Sequence, residues 1–179
     1  MTEPEHRKVI LYLAQSLDGF IAEKDGSTAW LSALNSSESD AAIQSFYRGV
    51  DTIIMGRKTY EQCIKLAGTY PYQEKQSYVF SKTLHDTADR TNVVTGNVPE
   101  FVRQLKAQDG GNIWLVGGAE TFTMLLKAQL VDELIITIAP VLLGDGISLI
   151  STHLTDMPLE LSKTRQLGQF VELTYKINY

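Results

Sequence analysis

The sequence predicts a three-layer α/β/α fold whose mostly parallel, mixed central sheet ends in a C-terminal antiparallel hairpin. Three observations carry this. Short apolar runs alternate with segments of helical period through most of the chain. Glycine, proline and Asp-Gly pairs punctuate the junctions. The C-terminal residues alternate strictly between apolar and polar. Residues 9–14 form a near-continuous apolar run, as a strand buried on both faces should, and it stops at Ser16-Leu17-Asp18-Gly19. Asp18-Gly19 and Asp25-Gly26-Ser27 read as tight turns. Residues 38–47 keep helical spacing through Ala42, Ile43, Phe46 and Tyr47, with Asp40 early in that helix.

Residues 52–55 are then a strand, and 57–67 a helix with Tyr60, Cys63, Ile64 and Ala67 on one face. Strands follow at 77–80 and 92–95. Pro99 opens a helix whose apolar stripe is Val98, Phe101, Val102 and Leu105. Residues 113–116 are a strand broken by Gly117-Gly118, 120–127 a helix, and 134–139 a strand ended by Pro140. Gly144-Asp145-Gly146 marks a loop. Val171, Leu173, Tyr175, Ile177 and Tyr179 alternate with polar residues, the pattern of a strand buried on one face, and 159–167 pairs with it across a turn at Gly168.

The chain, 179 residues long, is expected to be a single domain over 1–179 with residues 1–7 flexible. A 44% apolar and 21% charged composition suits a globular core and argues against a disordered chain. The net charge of −5, with no basic cluster longer than a pair, disfavours nucleic acid and anionic membrane as partners. One cysteine excludes an internal disulfide and a cysteine-based zinc cage. The polar first eight residues lack the apolar stretch of a signal peptide, and no run spans a bilayer. These features point to a soluble, cytoplasmic protein.

In an open α/β sheet, ligands sit beyond the carboxyl ends of the strands. Three strand ends deliver suggestive sequences there: Gly56-Arg57-Lys58-Thr59, Ser81-Lys82-Thr83 and Gly117-Gly118-Ala119-Glu120-Thr121. Glycine lets a phosphate approach the backbone. A helix start turns free N–H groups toward an anion, and Arg57, Lys58 and Lys82 add charge-assisted hydrogen bonds. Each junction alone has a plainer reading, as a turn or a solvated helix start. Their coincidence in an acidic protein is what favours an anion site, and a ligand with separated phosphates such as NADPH would use all three. No G-x-G-x-x-G and no G-x-x-x-x-G-K-[ST] occurs, which disfavours a Rossmann site and a P-loop.

His6, His85 and His153 are scattered through polar segments, so no metal site is expected. No G-x-S-x-G elbow supports a serine hydrolase. Cys63, on an apolar helix face, reads as a core thiol rather than a nucleophile. Trp30, Phe46 and Tyr47 read either as core or as walls for a planar ligand. Asp40 is either a solvated carboxylate favoured by the helix dipole or an acid facing a cleft.

The segments Ser16-Leu17-Asp18-Gly19-Phe20-Ile21-Ala22, Ile54-Met55-Gly56-Arg57-Lys58-Thr59-Tyr60-Glu61 and Trp114-Leu115-Val116-Gly117-Gly118-Ala119 resemble the dihydrofolate reductase superfamily, as does Asp132-Glu133-Leu134 through Ala139-Pro140-Val141-Leu142-Leu143-Gly144. The resemblance is to the branch containing the C-terminal reductase domain of the bifunctional riboflavin-biosynthesis deaminase-reductase. It covers nearly the whole chain in the same order. It implies a dihydrofolate reductase-like fold, a homodimer, and an NADPH-dependent reductase acting on a small-molecule substrate.

Carried onto this chain, the resemblance has Gly56, Arg57, Lys58 and Thr59 cradle the cofactor phosphates. Ser81 and Lys82 meet the 2′-phosphate end, while Gly117, Gly118, Ala119, Glu120 and Thr121 hold the pyrophosphate. Ala14 and Ile21 flank the nicotinamide, under a mobile loop over residues 22–30. Asp40 takes the place of the catalytic acid that binds the pterin ring, and Thr137 that of its hydroxyl partner. Trp30, Tyr47, Cys63 and Val116 complete the pocket. Phe20 stands where the riboflavin branch typically has lysine, and Val116 where it has glutamate. Hydride transfer to a heterocyclic or sugar-derived substrate, as by 5-amino-6-(5-phosphoribosylamino)uracil reductase, is therefore the first expectation. A pteridine-type reductase, a nucleotide-binding module without turnover and a scaffold dimerising through its C-terminal hairpin are the alternatives.

Overall fold

The computed structural model describes residues 6–150, 154 and 156–179; His153 and residues 1–5 lie outside them. Within that range strands and helices follow in the order β1 (Val9–Ser16), β2 (Phe20–Ala22), α1 (Ala29–Ser32), α2 (Ser37–Arg48), β3 (Val50–Gly56), α3 (Arg57–Ala67), β4 (Gln76–Phe80), β5 (Thr91–Val94) and α4 (Val98–Lys106). They continue with β6 (Asn112–Gly117), α5 (Ala119–Lys127), β7 (Glu133–Ala139), β8 (Ile147–Ser148), β9 (Leu159–Leu167) and β10 (Phe170–Ile177).

The main sheet has the order β5-β4-β3-β6-β1-β7-β10-β9. Its first six strands are mutually parallel. β10 runs antiparallel between β7 and β9. The mixed α/β layering and the terminal hairpin are as the sequence predicts. β2 pairs with β8 in a separate two-stranded sheet, whose strands are too short for any periodicity to reveal.

Residue alternation assigns the two faces. Val9, Leu11, Ile54, Ile113 and Leu115 pack on one side with Val102 and Leu105 of α4 and Phe122, Leu125 and Leu126 of α5. Tyr12, Ile53, Met55 and Trp114 pack on the other with Phe46 and Tyr47 of α2 and Tyr60 and Ile64 of α3. Because β1, β3 and β6 are covered on both faces, their sequences are continuous apolar runs rather than alternating ones.

Two expectations are revised. In β10 the alternation predicted apolar residues in and polar residues out. Instead Val171 is 42% exposed and Glu172 only 2%, because the Tyr12 and Arg165 side chains close over Glu172, with α2 packed on Tyr12 through Phe46 and against the neighbouring β9. At the other end, the segment 1–7 was expected to be flexible, but Arg7 is buried. Its guanidinium donates to the carbonyls of Gly111 and Leu105 and to the Thr52 hydroxyl, and pairs with Asp51.

Candidate active site

Because β4, β3 and β6 are adjacent and parallel, their carboxyl ends place Ser81-Lys82, Gly56-Arg57 and Gly117-Gly118 side by side on one rim. Gly56 is the register partner of Phe80, and Met55 that of Gly117. At about 4.8 Å per strand the three junctions span roughly 10 Å. The chain leaves β3 through α3 on one face of the sheet and leaves β6 through α5 on the other. Such opposite departures from neighbouring strands open a crevice at the rim.

The two longer helices that start away from the crevice, α2 and α4, carry side-chain caps. α2 starts with a capping box in which the Ser36 hydroxyl accepts from the Ser39 N–H and the Ser39 hydroxyl from the Ser36 N–H. α4 starts with the Asn97 side-chain Oδ1 accepting from the Glu100 N–H, at 3.1 Å. α3 and α5 start on glycines, Gly56 and Gly118, with no side-chain cap. A side chain would force a shift at Gly56 and be crowded at Gly118. A Cβ on Gly56 would lie 2.9 Å from Thr121 Oγ1, and one on Gly118 would lie 3.3 Å from Thr59 Oγ1 and 3.5 Å from Thr121 Oγ1. Gly118 also has φ +96°, which strains any other residue. Glycine leaves the positive ends of two helices open to the same crevice, flanked by two threonine hydroxyls.

The other rim residues vary in commitment. Arg57 is half-buried and pairs with Glu61 at 2.8 Å. Lys58 and Lys82 are exposed and form no ion pair among the described residues. Ser81 Oγ accepts from the Thr83 and Leu84 N–H groups, which fixes the turn after β4. Glu120 is exposed, Ala119 half-buried and Thr121 buried.

Ala14, Val116 and Thr137 come together on the sheet face that α2 and α3 cover. Ala14 and Thr137 are register partners, and Val116 continues the face of Trp114. Ile21 is half-buried on β2. Trp30 joins Ala42, Ala139, Leu167 and Phe170 in a small cluster, and its buried indole Nε1 has no partner. Tyr47 and Cys63 instead belong to an aromatic cluster reaching toward the opposite edge. Tyr47 packs 6.3 Å from Trp114 and 6.1 Å from Tyr72, with the Lys75 ammonium 4.5 Å from its ring centre; its buried hydroxyl is also unpartnered. Burial pushes the Cys63 thiol up, opposed by a hydrogen bond with Tyr72, which suits a packing role. Asp40 is exposed, on the α2 stripe continued by Gln44 and Tyr47.

Two polar groupings were not singled out from the sequence. Asp18 joins the loops after β1 and β7: its carboxylate accepts from the Ser16 hydroxyl at 2.6 Å and from the Leu143 and Gly144 N–H groups at 3.1 and 2.7 Å. These bonds, Ser16 foremost, hold its carboxyl below the usual range. Glu172 accepts from the Tyr12 hydroxyl at 2.7 Å and from Arg165 Nε at 2.6 Å. Asp18 lies in a turn signal, but Glu172 sits at a position the alternation assigned to solvent.

An apolar cavity of about 390 Å³ lies on the other face, between Ile136, Ile138, Leu173, Phe122 and Leu126, with Gln15 at its margin. It is lined mainly by apolar side chains and by none of the glycines of the rim. No group of histidine, cysteine or carboxylate side chains among the described residues could hold a metal, and no described helix is long and apolar enough to cross a membrane.

Residues 7–173 match the family model of the RibD C-terminal domain. The chain belongs to that family. It is 42% identical over 170 residues to the uncharacterized protein YwjB of Bacillus subtilis, covering 94% of this chain and 97% of that one. A Shewanella structure solved as a candidate riboflavin biosynthesis protein superposes with TM-score 0.84 at 29% identity, covering 96% and 99% of the two chains. Dihydrofolate reductase from Enterococcus faecalis, solved with NADP(H), shares the fold with TM-score 0.64 at 17% identity and coverage of 96% and 97%. The fold is therefore dihydrofolate reductase-like.

Proposed function

We propose that this protein is an NADPH-dependent reductase of small heterocyclic or sugar-derived substrates, in the manner of 5-amino-6-(5-phosphoribosylamino)uracil reductase. The observation that carries the reading is the pair of glycine-started helices, α3 and α5, opening side by side into one crevice. The donor set suits a dinucleotide. Gly117, Gly118 and Thr121 receive the pyrophosphate at the start of α5, and Gly56, Arg57, Lys58 and Thr59 do the same at α3. Ser81 and Lys82 meet the 2′-phosphate one strand further out. Ala14 and Ile21 flank the nicotinamide.

Bound NADPH supplies the hydride, delivered from C4 to a polarised C=N or C=O carbon. The chain supplies alignment and exclusion of water. Trp30 Nε1 and the Tyr47 hydroxyl are buried hydrogen-bonding groups without partners among the described residues. Asp40, already at the surface of α2, orients substrate amino groups or passes a proton through water. The exposed apolar residues Leu159, Leu161 and Val171 of the hairpin support a homodimer, checked by sedimentation. The single cysteine, which can form no disulfide within the described chain, suits a reducing compartment such as the cytoplasm.

Nucleotide is expected to quench tryptophan fluorescence and raise the melting temperature, by the equivalent of about 2.7 kcal/mol at a hundred times Kd. No shift at millimolar NADPH overturns the proposal. The exposure of Asp40 favours a second reading, binding without turnover. Consumption of NADPH across a panel of pteridines, diaminopyrimidines and ribosylaminopyrimidines excludes it.

A further inference from the structure

The sheet face beneath α2 and α3 loses its cover at two places. In β1, Val9 to Tyr12 are buried and Ala14 is half-buried; in β6, Ile113 to Leu115 are buried and Val116 is half-buried. On each strand a small residue near the carboxyl end is backed, two positions toward the amino edge and on the same face, by a large aromatic one. Both aromatic residues lie under other rings. Tyr12 meets Phe46 at 4.6 Å between ring centres, and Trp114 meets Phe46 at 5.6 Å and Tyr72 at 5.1 Å. Leu11 is the register partner of Leu115, so Val116 stands level with Tyr12, one position deeper than Ala14. The floor of Ala14, Thr137 and Val116 therefore reaches furthest inward along β6, where Val116 packs against the cluster that holds Trp114 and Tyr72.

Tyr72 comes from the segment 68–75 between α3 and β4, and it is held from several sides. Tyr70 packs on it at 5.5 Å and donates its own hydroxyl to Ser77 Oγ at 2.7 Å. Tyr47 of α2 packs 6.1 Å from it. Lys75 donates to the Val50 carbonyl at 2.8 Å and sets its ammonium 4.5 Å from the centre of the Tyr47 ring. A ring packed in this way cannot yield to a ligand without disturbing its neighbours.

We propose that Tyr72 determines the size of the substrate: its ring is the inner wall of the pocket and limits the bound heterocycle to a single ring in depth. This rests on the reading of Ala14, Thr137 and Val116 as pocket residues. From Val116 to Trp114 the strand advances only about 6.6 Å, which accommodates one six-membered ring. A second fused ring on the inner side meets Tyr72, and larger substituents have room only on the side facing the rim.

The test is calorimetric titration, with and without saturating NADPH, of 2,4-diaminopyrimidine and 2,4-diaminoquinazoline, which share one donor pattern and differ by a fused second ring. Wild type is expected to prefer the single ring roughly tenfold or more. Tyr72→Ala removes the inner wall and is expected to reverse that order, whereas Tyr72→Phe keeps the ring and should preserve it. Tyr70→Phe, which removes only the bond to Ser77, is expected to lower the melting temperature with the order unchanged; an altered order there assigns the limit to general packing and overturns the proposal. Should Tyr72→Ala not fold, Tyr72→Leu is expected to bring the two affinities together. A wild type that binds neither compound, or the quinazoline as well as the pyrimidine, overturns the proposal. So does an order unchanged in the folded Tyr72 variant that lacks the ring, or loss of both compounds by it. NADPH binding by wild type, measured first and alone, decides the reductase reading separately.

Discussion

The two edges of the central sheet are built on opposite principles. At the amino edge, polar groups are paired with one another. The Arg7 guanidinium satisfies two carbonyls, a hydroxyl and Asp51. Asp132 accepts from the Val9 N–H at 2.7 Å and from Lys106 at 2.6 Å, and Lys75 donates to the Val50 carbonyl at 2.8 Å. At the carboxyl edge, two helices begin on glycine, while Lys58 and Lys82 form no ion pair among the described residues. Both edges present the same kinds of backbone group, so the difference lies in the side chains. One edge is closed by paired side chains, and at the other α3 and α5 begin without side-chain caps.

The comparison can be broken in order of expected effect. Arg7→Ala should be the costliest change, about 3 kcal/mol by denaturant titration, because it strands buried acceptors, while NADPH affinity of the folded fraction stays unchanged. Gly118→Ala should cost stability on the order of 1–3 kcal/mol through its positive φ and weaken NADPH tenfold or more; intact binding would mean that the crevice does not hold the pyrophosphate. Arg57→Ala with Lys82→Ala should leave stability nearly untouched and cut the preference for NADPH over NADH by about tenfold, more at low salt. Equal weakening of both nucleotides would show that these cations do not read the 2′-phosphate.

The smallest effect is acid sensitivity at the amino edge. Partial burial alone would raise the Asp51 carboxyl, but the Gly111 N–H, the Thr52 hydroxyl and Arg7 outweigh it and hold it below its usual value. A lowered folded value means that its stabilisation is present above the ordinary carboxylate pKa of about 3.9 and is lost as pH falls through the lower folded one. Melting temperature should therefore fall on that acid limb, and Asp51→Asn should flatten it. An unchanged limb would place the acid sensitivity elsewhere.

The crevice was legible because each part of it is local. Gly56-Arg57-Lys58-Thr59 and Gly117-Gly118 announce a strand end and a helix start in a few residues, and parallel strand order brings them to one rim. Glu172 was not legible. Its alternation with Val171 and Leu173 is a true strand signal, but period two states only that successive residues face opposite ways. Which face is covered depends on where Tyr12 and α2 lie, and both are distant in sequence. Arg7 was missed for the same reason: its partners, Asp51, Leu105 and Gly111, are distant along the chain.

Strand and helix alternation, the glycine-started helices and the acidic surface follow from the chain itself, because backbone freedom, periodicity and charge are properties of neighbouring residues. The order β4-β3-β6 that makes three junctions one rim, the burial of Glu172 beneath Tyr12 and Arg165 and the clamp around Arg7 were decided only by tertiary packing. Each depends on surfaces distant in sequence excluding water together, and no local pattern encodes that.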